Sequence, residues 1–237
     1  MAGIFKFKQF SVDQSGCAMK INTDGVLLGA FVEAGNPGHI LDIGTGTGVI
    51  ALMLAQKFAQ AHIDAVEVDA AAAITAALNF ERSPFSDRLS AEHTTFQQYF
   101  KQYPGKKYDL IISNPPFYLH SLEAPDGQMN LAKHTDALFF EELITGVSNH
   151  LNRNGNCWLI LPVKTAELVK TLLPQYGLYL NKIISIRSFS DSVAHREVII
   201  FSPSQATPVH ADFIIYNEPK RYTAGYINML KDFFTIF

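Results

Sequence analysis

Short apolar runs recur along this chain, each closed by glycine, proline or small polar residues, and they alternate with stretches of helical character. His39-Ile40-Leu41-Asp42-Ile43 is the first clear run; it follows the turn residues Asn36-Pro37-Gly38 and predicts a strand. The unbroken apolar stretch over 49–55 predicts a buried helix. A second strand is predicted over 62–69, then an alanine-rich helix over 70–80 with Asp69 as its N-cap. A third strand over 89–92 leads into the loop His93-Thr94-Thr95, and Leu110-Ile111-Ile112 forms the fourth. A helix over 137–151, a turn over 152–155, a fifth strand over 156–161 and a helix over 163–173 follow. Strands over 182–187 and 197–201 can pair antiparallel across the loop 188–196, and a short strand over 213–216 and a helix after Tyr222 complete the tail. Ahead of all this, residues 5–24 mix basic, aromatic and small polar side chains, and Thr23 or Asp24 is placed to cap a helix through 26–31. Strands alternating with helices in this way predict an α/β fold around a parallel sheet.

The fourth strand runs into Ser113-Asn114-Pro115-Pro116-Phe117-Tyr118. Proline cannot donate to a sheet ladder, and it biases the residue before it toward extended backbone. Asn114 therefore stands at the carboxyl end of a central strand, with two aromatic rings just beyond it; in an open α/β sheet that edge is where ligands bind. The first strand ends in a second signal, Gly44-Thr45-Gly46-Thr47-Gly48, before the apolar helix. Glycines let the backbone pass close to a ligand, and the helix amino terminus offers free N–H groups. A dinucleotide fingerprint can be laid over Gly46, Gly48 and Ala51, but it starts two residues late, because Gly44 directly follows the strand. An acid roughly twenty positions after the glycines can accept hydrogen bonds from a ribose diol. Glu67 falls nearer the strand end than Asp69 and is the better placed of the two. Residues 119–136 are polar, contain Pro125-Asp126-Gly127 and show no clear periodicity, so they read as an active-site loop, with His134 able to reach a substrate.

The chain has 237 residues, 48% of them apolar and 17% charged, which suits one soluble globular domain over 1–237. Within it, 1–36 is a segment flanking the site and 202–237 a carboxy-terminal extension. No apolar run approaches a membrane span, and residues 1–6 lack the apolar core of a signal peptide, so a cytoplasmic protein without a membrane partner is expected. Cys17 and Cys157 are isolated, without the spacing of a metal site; no metal is expected, and Cys157, beside Trp158, is expected in the core. A net charge of −3 leaves any nucleic-acid partner to a local basic patch. Lys6, Lys8 and Lys20 can flank one side of such a patch; Arg187, Arg196, Lys220 and Arg221 come from the carboxy-terminal loops.

A glycine loop after strand one, an acid after strand two and Asn-Pro-Pro-Phe after strand four together resemble the class I methyltransferases that use S-adenosylmethionine, over roughly residues 20–201. The resemblance implies a Rossmann-like, doubly wound seven-stranded sheet, mostly parallel with the last strand antiparallel, which suits the two carboxy-terminal strands. It implies a methyl donor over Gly44, Thr45, Gly46 and Gly48, with its amino-acid part near Asp42, its ribose on Glu67 and Asn114 close by. The family's usual adenine-binding acid after strand three is missing; Thr95 stands in that place. Asn-Pro-Pro followed by an aromatic is similar to enzymes that methylate an exocyclic amino or amide nitrogen. In that chemistry the Asn114 side chain and the Pro115 carbonyl accept the two hydrogens of the nitrogen, and Phe117 or Tyr118 stacks on the base.

Lys20-Ile21-Asn22-Thr23-Asp24-Gly25-Val26-Leu27-Leu28-Gly29-Ala30, Asn-Pro-Pro-Phe-Tyr and Ala132-Lys133-His134-Thr135-Asp136 resemble the family of bacterial methyltransferases that modify N6 of adenine 37 in valine tRNA. That resemblance implies a monomeric enzyme acting on tRNA, with Lys20, Thr23, Pro116, Phe117, Tyr118, His134 and Arg196 toward the substrate. The alternatives are an N5-glutamine methyltransferase acting on a release factor and an N6-adenine methyltransferase acting on rRNA or DNA. The former carry a helical domain before the glycine loop, and this chain reaches Asp42 after a short lead. A nicotinamide dehydrogenase would leave Asn-Pro-Pro-Phe unexplained, and a non-catalytic RNA-binding protein would not transfer methyl groups.

Overall fold

The computed structural model describes residues 3–17, 19–116 and 126–237, with side chains for all of these except 126–136. A hairpin of β1 (Ile4–Lys6) and β2 (Ser11–Asp13) precedes α1 (Thr23–Phe31). The alternating core follows: β3 (His39–Ile43), α2 (Val49–Lys57), β4 (His62–Glu67), α3 (Ala70–Glu81), β5 (Leu89–His93), α4 (Phe96–Gln102) and β6 (Tyr108–Ser113). Next come α5 (Asp126–His150), β7 (Leu151–Pro162), α6 (Val163–Leu172), β8 (Tyr179–Arg187), β9 (Arg196–Ser202) and β10 (Val209–Ile214). A small hairpin of β11 (Tyr216–Glu218) and β12 (Arg221–Tyr222) leads into α7 (Ala224–Leu230).

The main sheet runs in the order β10-β8-β9-β7-β6-β3-β4-β5. β5, β4, β3, β6 and β7 are mutually parallel, and β9 enters antiparallel between β7 and β8. The sheet is thus of the expected kind, with one strand more than the seven expected. The eighth, β10, pairs parallel with β8 from Val209 to Ile214, where a shorter strand over 213–216 was expected. Its apolar signal is weak because Val209 is 58% exposed and none of its residues is fully buried. Ladder bonds hold it more than burial does.

Strand pleating sends alternate residues to opposite faces, and two apolar clusters result. Ile40, Ile63, Leu110 and Ile112 face α1, α2, α3 and α7, while Leu41, Ile43, Val66 and Ile111 face α4, α5 and α6. Cys157 is fully buried in the second cluster, as expected, and burial pushes its thiol well up.

Three boundaries differ from expectation. Neither Thr23 nor Asp24 caps α1: Asn22 does, its side chain accepting from the Gly25 N–H at 2.9 Å. The turn predicted over 152–155 lies inside β7, where the register against β6 jumps from Tyr108↔Leu151 to Leu110↔Asn156. This is a bulge, and turn residues suit it because the chain must kink there. A Cβ at Gly155 would come within 2.8 Å of the Tyr108 carbonyl oxygen, which excludes larger residues. Finally, the active-site loop expected over 119–136 is helical from Asp126 onward, where good helix formers such as Gln, Met, Leu, Ala and Lys carry no apolar stripe. No helix among the described residues is long and apolar enough to cross a membrane.

Candidate active site

Three strand ends build the site. Ser113, the last residue of β6, donates from its hydroxyl to the Ile43 carbonyl at 2.7 Å and so ties the ends of β6 and β3 together. Asn114, Pro115 and Pro116 then leave the sheet. The Asn114 side-chain oxygen is buried and has no hydrogen-bond partner among the described residues. A buried acceptor without a donor costs about 1–3 kcal/mol, so its presence calls for an explanation. Gly25, in the first turn of α1, lies against this side chain: a Cβ there would sit 3.6 Å from the Asn114 Nδ2.

Beside it, Gly44, Gly46 and Gly48 adopt φ of 70°, 58° and 85°, in the left-handed region that side chains disfavour. A Cβ at Gly44 or Gly46 would meet nothing within 4 Å, so the space above this loop is open. At Gly48 the constraint is different, since a Cβ would run into the Phe80 ring of α3. Asp42 lies beneath the loop, fully buried, and accepts from the Thr45 hydroxyl at 2.6 Å through one oxygen. Its other oxygen has no partner among the described residues. Burial pushes the Asp42 carboxyl up to about 7, against the downward pull of the Thr45 hydrogen bond. Glu67 ends β4 and already accepts from two backbone amides, Gly46 at 2.8 Å and Asp69 at 2.9 Å. Asp69 caps α3 as expected, accepting from Ala72 at 2.8 Å.

Two cavities meet at the proline pair. One, of about 230 Å³ and mostly apolar, is lined by Gly44, Val66, Thr95, Phe96, Pro115 and Pro116 among others. The second, of about 410 Å³, is lined by Asn22, Thr23, Asp24, Asn114, His195 and Arg196, with Pro115, Pro116 and Tyr216 also in its wall. Arg196, the first residue of β9, reaches across this second cavity and donates from Nε to Asp24 of α1 at 2.8 Å. Burial, and then the neighbouring Arg196 charge, lower the pKa of the adjoining His195.

The structure therefore brings Asn114, Pro115, Pro116, Thr23 and Arg196 to one cavity, and Gly44 and Thr95 to the other, with Asp42, Thr45, Gly46, Gly48 and Glu67 in or against the loop that Gly44 begins. Thr95 also caps α4, accepting from the Gln98 amide at 3.1 Å. Lys20 is exposed and lines neither cavity. Phe117, Tyr118 and the His134 side chain lie outside the described residues. Lys8, read as part of a basic patch, instead donates to the Lys231 and Phe237 carbonyls at 2.5 and 2.9 Å and clasps the end of the chain. Arg187 is likewise engaged, by Asp212 at 2.9 Å and the Ser192 carbonyl at 2.7 Å. Arg221 pairs with Glu218 at 3.3 Å on the surface. Tyr216 and His195 escaped the sequence reading: they belong to a late hairpin and a loop end, and only the tertiary fold returns them to the proline pair.

Comparison with known proteins places this geometry in a family. The model of the methyltransferase small domain matches residues 17–175. A Pedobacter heparinus protein named tRNA1(Val) (adenine(37)-N6)-methyltransferase is 46% identical over 237 residues, covering all of both chains. A Flavobacterium psychrophilum protein of the same name is 42% identical over 98% of this chain and 99% of its own. Among solved structures, an Agrobacterium tumefaciens protein described as a predicted O-methyltransferase superposes with a TM-score of 0.70 at 18% identity, over 89% of this chain and 96% of that one. TrmN from Thermus thermophilus gives 0.57 at 20% identity, over 75% of this chain and 47% of that one; these two likenesses speak for the fold alone. The chain belongs to the methyltransferase small domain family and, within it, to the family of the proteins named tRNA1(Val) (adenine(37)-N6)-methyltransferase.

Proposed function

We propose that this protein transfers a methyl group from S-adenosylmethionine to the exocyclic N6 of adenine 37 in tRNA1(Val). The observation that carries this reading is the buried Asn114 side-chain oxygen, unpartnered among the described residues, in a cavity that shares the Pro115–Pro116 wall with the apolar cavity lined by Gly44. Adenine N6 is a poor nucleophile, because its lone pair is delocalised into the ring. With the Asn114 oxygen and the Pro115 carbonyl accepting its two hydrogens, the nitrogen pyramidalises and aims its lone pair out of the ring plane. This is positioning and charge stabilisation by fixed acceptors. The proline pair holds both acceptors still. Phe117 and Tyr118 supply the face on which the extruded base stacks. Thr23, Pro116, His134 and Arg196 surround the substrate, and Lys20 lies toward its phosphates.

The residues present fit S-adenosylmethionine. The space above Gly44 and Gly46 is open, the unpartnered Asp42 oxygen awaits a donor, and an apolar cavity ending at Thr95 suits a flat ring. When bound, the donor supplies an electrophilic methyl group. Asp42 meets its amino-acid end; Gly44, Thr45, Gly46 and Gly48 follow its length; Glu67 accepts from its ribose through lone pairs left free by the loop amides.

The enzyme works as a cytoplasmic monomer in which 1–237 is one domain. Phe7 and Phe233 lie in the same apolar cluster, which supports that unity. The deciding experiment incubates the protein and labelled donor with total tRNA, total rRNA and release factor separately. Label in N6-methyladenine of valine tRNA is the expected result; label in release factor alone would assign a glutamine methyltransferase.

A further inference from the structure

A third cavity adjoins the one that holds Asn114. It has a volume of about 360 Å³ and its wall includes Phe5, Lys6, Tyr222, Tyr226 and Phe234. Asn22 and Thr23 line both this cavity and the one beside the proline pair, so the two are neighbours across a single turn of chain. A ladder of tyrosine rings forms the rest of the partition. Tyr216 faces the Asn114 cavity, Tyr222 stacks on it with centroids 5.1 Å apart, and Tyr226 stacks on Tyr222 at 4.4 Å and 6°. Each ring fixes the next, so the wall is preorganised before anything binds.

The chemistry of this cavity is selective. Its walls are mostly aromatic and apolar, with Asn22, Thr23 and Thr235 as neutral polar members; no carboxylate lines it among the described residues, and its one charge is Lys6. Lys6 is exposed and forms no ion pair among the described residues. A cation beside aromatic walls suits a nucleotide, which brings one phosphate and one flat apolar face. The position decides which nucleotide. A single strand that feeds one base into the Asn114 cavity must place its next unit close by, and the shared Asn22–Thr23 wall makes the third cavity its immediate neighbour.

We propose that this cavity receives the nucleotide next to the target adenine in the same RNA, its base against the aromatic wall and its phosphate at Lys6. The inference rests on the reading of the Asn114 cavity as the target-base site. It makes the enzyme a reader of two adjacent nucleotides, one reacting and one serving as an anchor.

The test uses the anticodon stem-loop of valine tRNA and two versions carrying an abasic nucleotide immediately 5′ or 3′ of the target adenine. KM and kcat are measured for wild type, Lys6→Ala and Thr235→Trp; the last fills the cavity from an exposed position on its rim. One abasic version is expected to raise KM about tenfold in wild type, the size of a lost base–aromatic contact, with kcat little changed. Thr235→Trp should show the raised KM on intact RNA, and the same abasic change should then add nothing. Lys6→Ala should raise KM and flatten its dependence on salt. If wild type ignores both flanking bases, or if the Thr235→Trp and abasic effects multiply, the cavity does not hold a neighbouring nucleotide. Methylation by wild type with that indifference overturns this inference alone; no methylation even of full-length tRNA overturns the target-base reading and this one with it.

Discussion

The Asn114 carboxamide ends in an oxygen that no donor satisfies among the described residues, and in the proposed reaction it acts as charge develops on N6. Asn114→Ala should therefore lower turnover by a factor of about a hundred or more, as loss of a fixed transition-state hydrogen bond does, while RNA affinity changes little. Single-turnover kinetics under saturating RNA separate the two; a wild-type methylation rate would sink the mechanism. Asp42 gives a different signature, in pH. Its carboxyl stands at about 7 in the folded chain against an ordinary 3.8, so between those values the folded state binds more protons than the unfolded one. Stability from this group is complete below 3.8 and is lost as pH rises through 7. Asp42→Asn should be more stable than wild type at pH 8, by on the order of a few kcal/mol, with little difference at pH 4. Thermal melts across that range measure the slope, and S-adenosylhomocysteine binding should weaken in the same variant. The residue types of this site were legible in the sequence because glycine turns and Asn-Pro-Pro announce themselves locally. Arg196, in contrast, is held by Asp24 from 172 positions away, a partnership no local pattern reveals.

At the scale of elements, the strands and helices of the alternating core were readable because each has a clean period and a turn on either side. Legibility failed where tertiary contacts replace those signals. β10 is half-exposed and held by its ladder to β8. The kink in β7 has the composition of a turn, and the start of α5 lacks an apolar stripe. Lys8 shows the same lesson for a charge: set between β1 and β2, it donates to carbonyls just after α7 and at the chain end, and so clasps the two ends of the chain together. Lys8→Met should lower stability by about 0.5–1.5 kcal/mol, the net worth of such hydrogen bonds, measured by urea titration. RNA affinity in that variant should stay at the wild-type value, because the ammonium faces carbonyls; a drop without loss of stability would return Lys8 to the RNA surface.

For the whole molecule, a net charge of −3 means that the proposed RNA substrate must be held by a few well-placed cations against an unfavourable overall field. Among the described residues Lys6, Lys20 and Lys220 form no ion pair, whereas Arg187 and Arg221 are paired with Asp212 and Glu218. The logarithm of RNA affinity should fall linearly with the logarithm of salt, and removing Lys6, Lys20 or Lys220 should each reduce that slope by about one. Arg221→Ala should change it less, since the Glu218 carboxylate already offsets that guanidinium. A flat salt response in the parent protein points to a protein or small-molecule substrate. Pro115 and Pro116 line both the cavity beside the glycine loop and the cavity of Asn114, so on the proposed reading one rigid wall stands between donor and acceptor. An inhibitor that joins an adenine, through its N6, to an S-adenosylhomocysteine-like part by a short bridge over the rim of that wall would engage both sides at once. Its second half then binds at an effective concentration in the millimolar range, so that two weak ligands become one tight one.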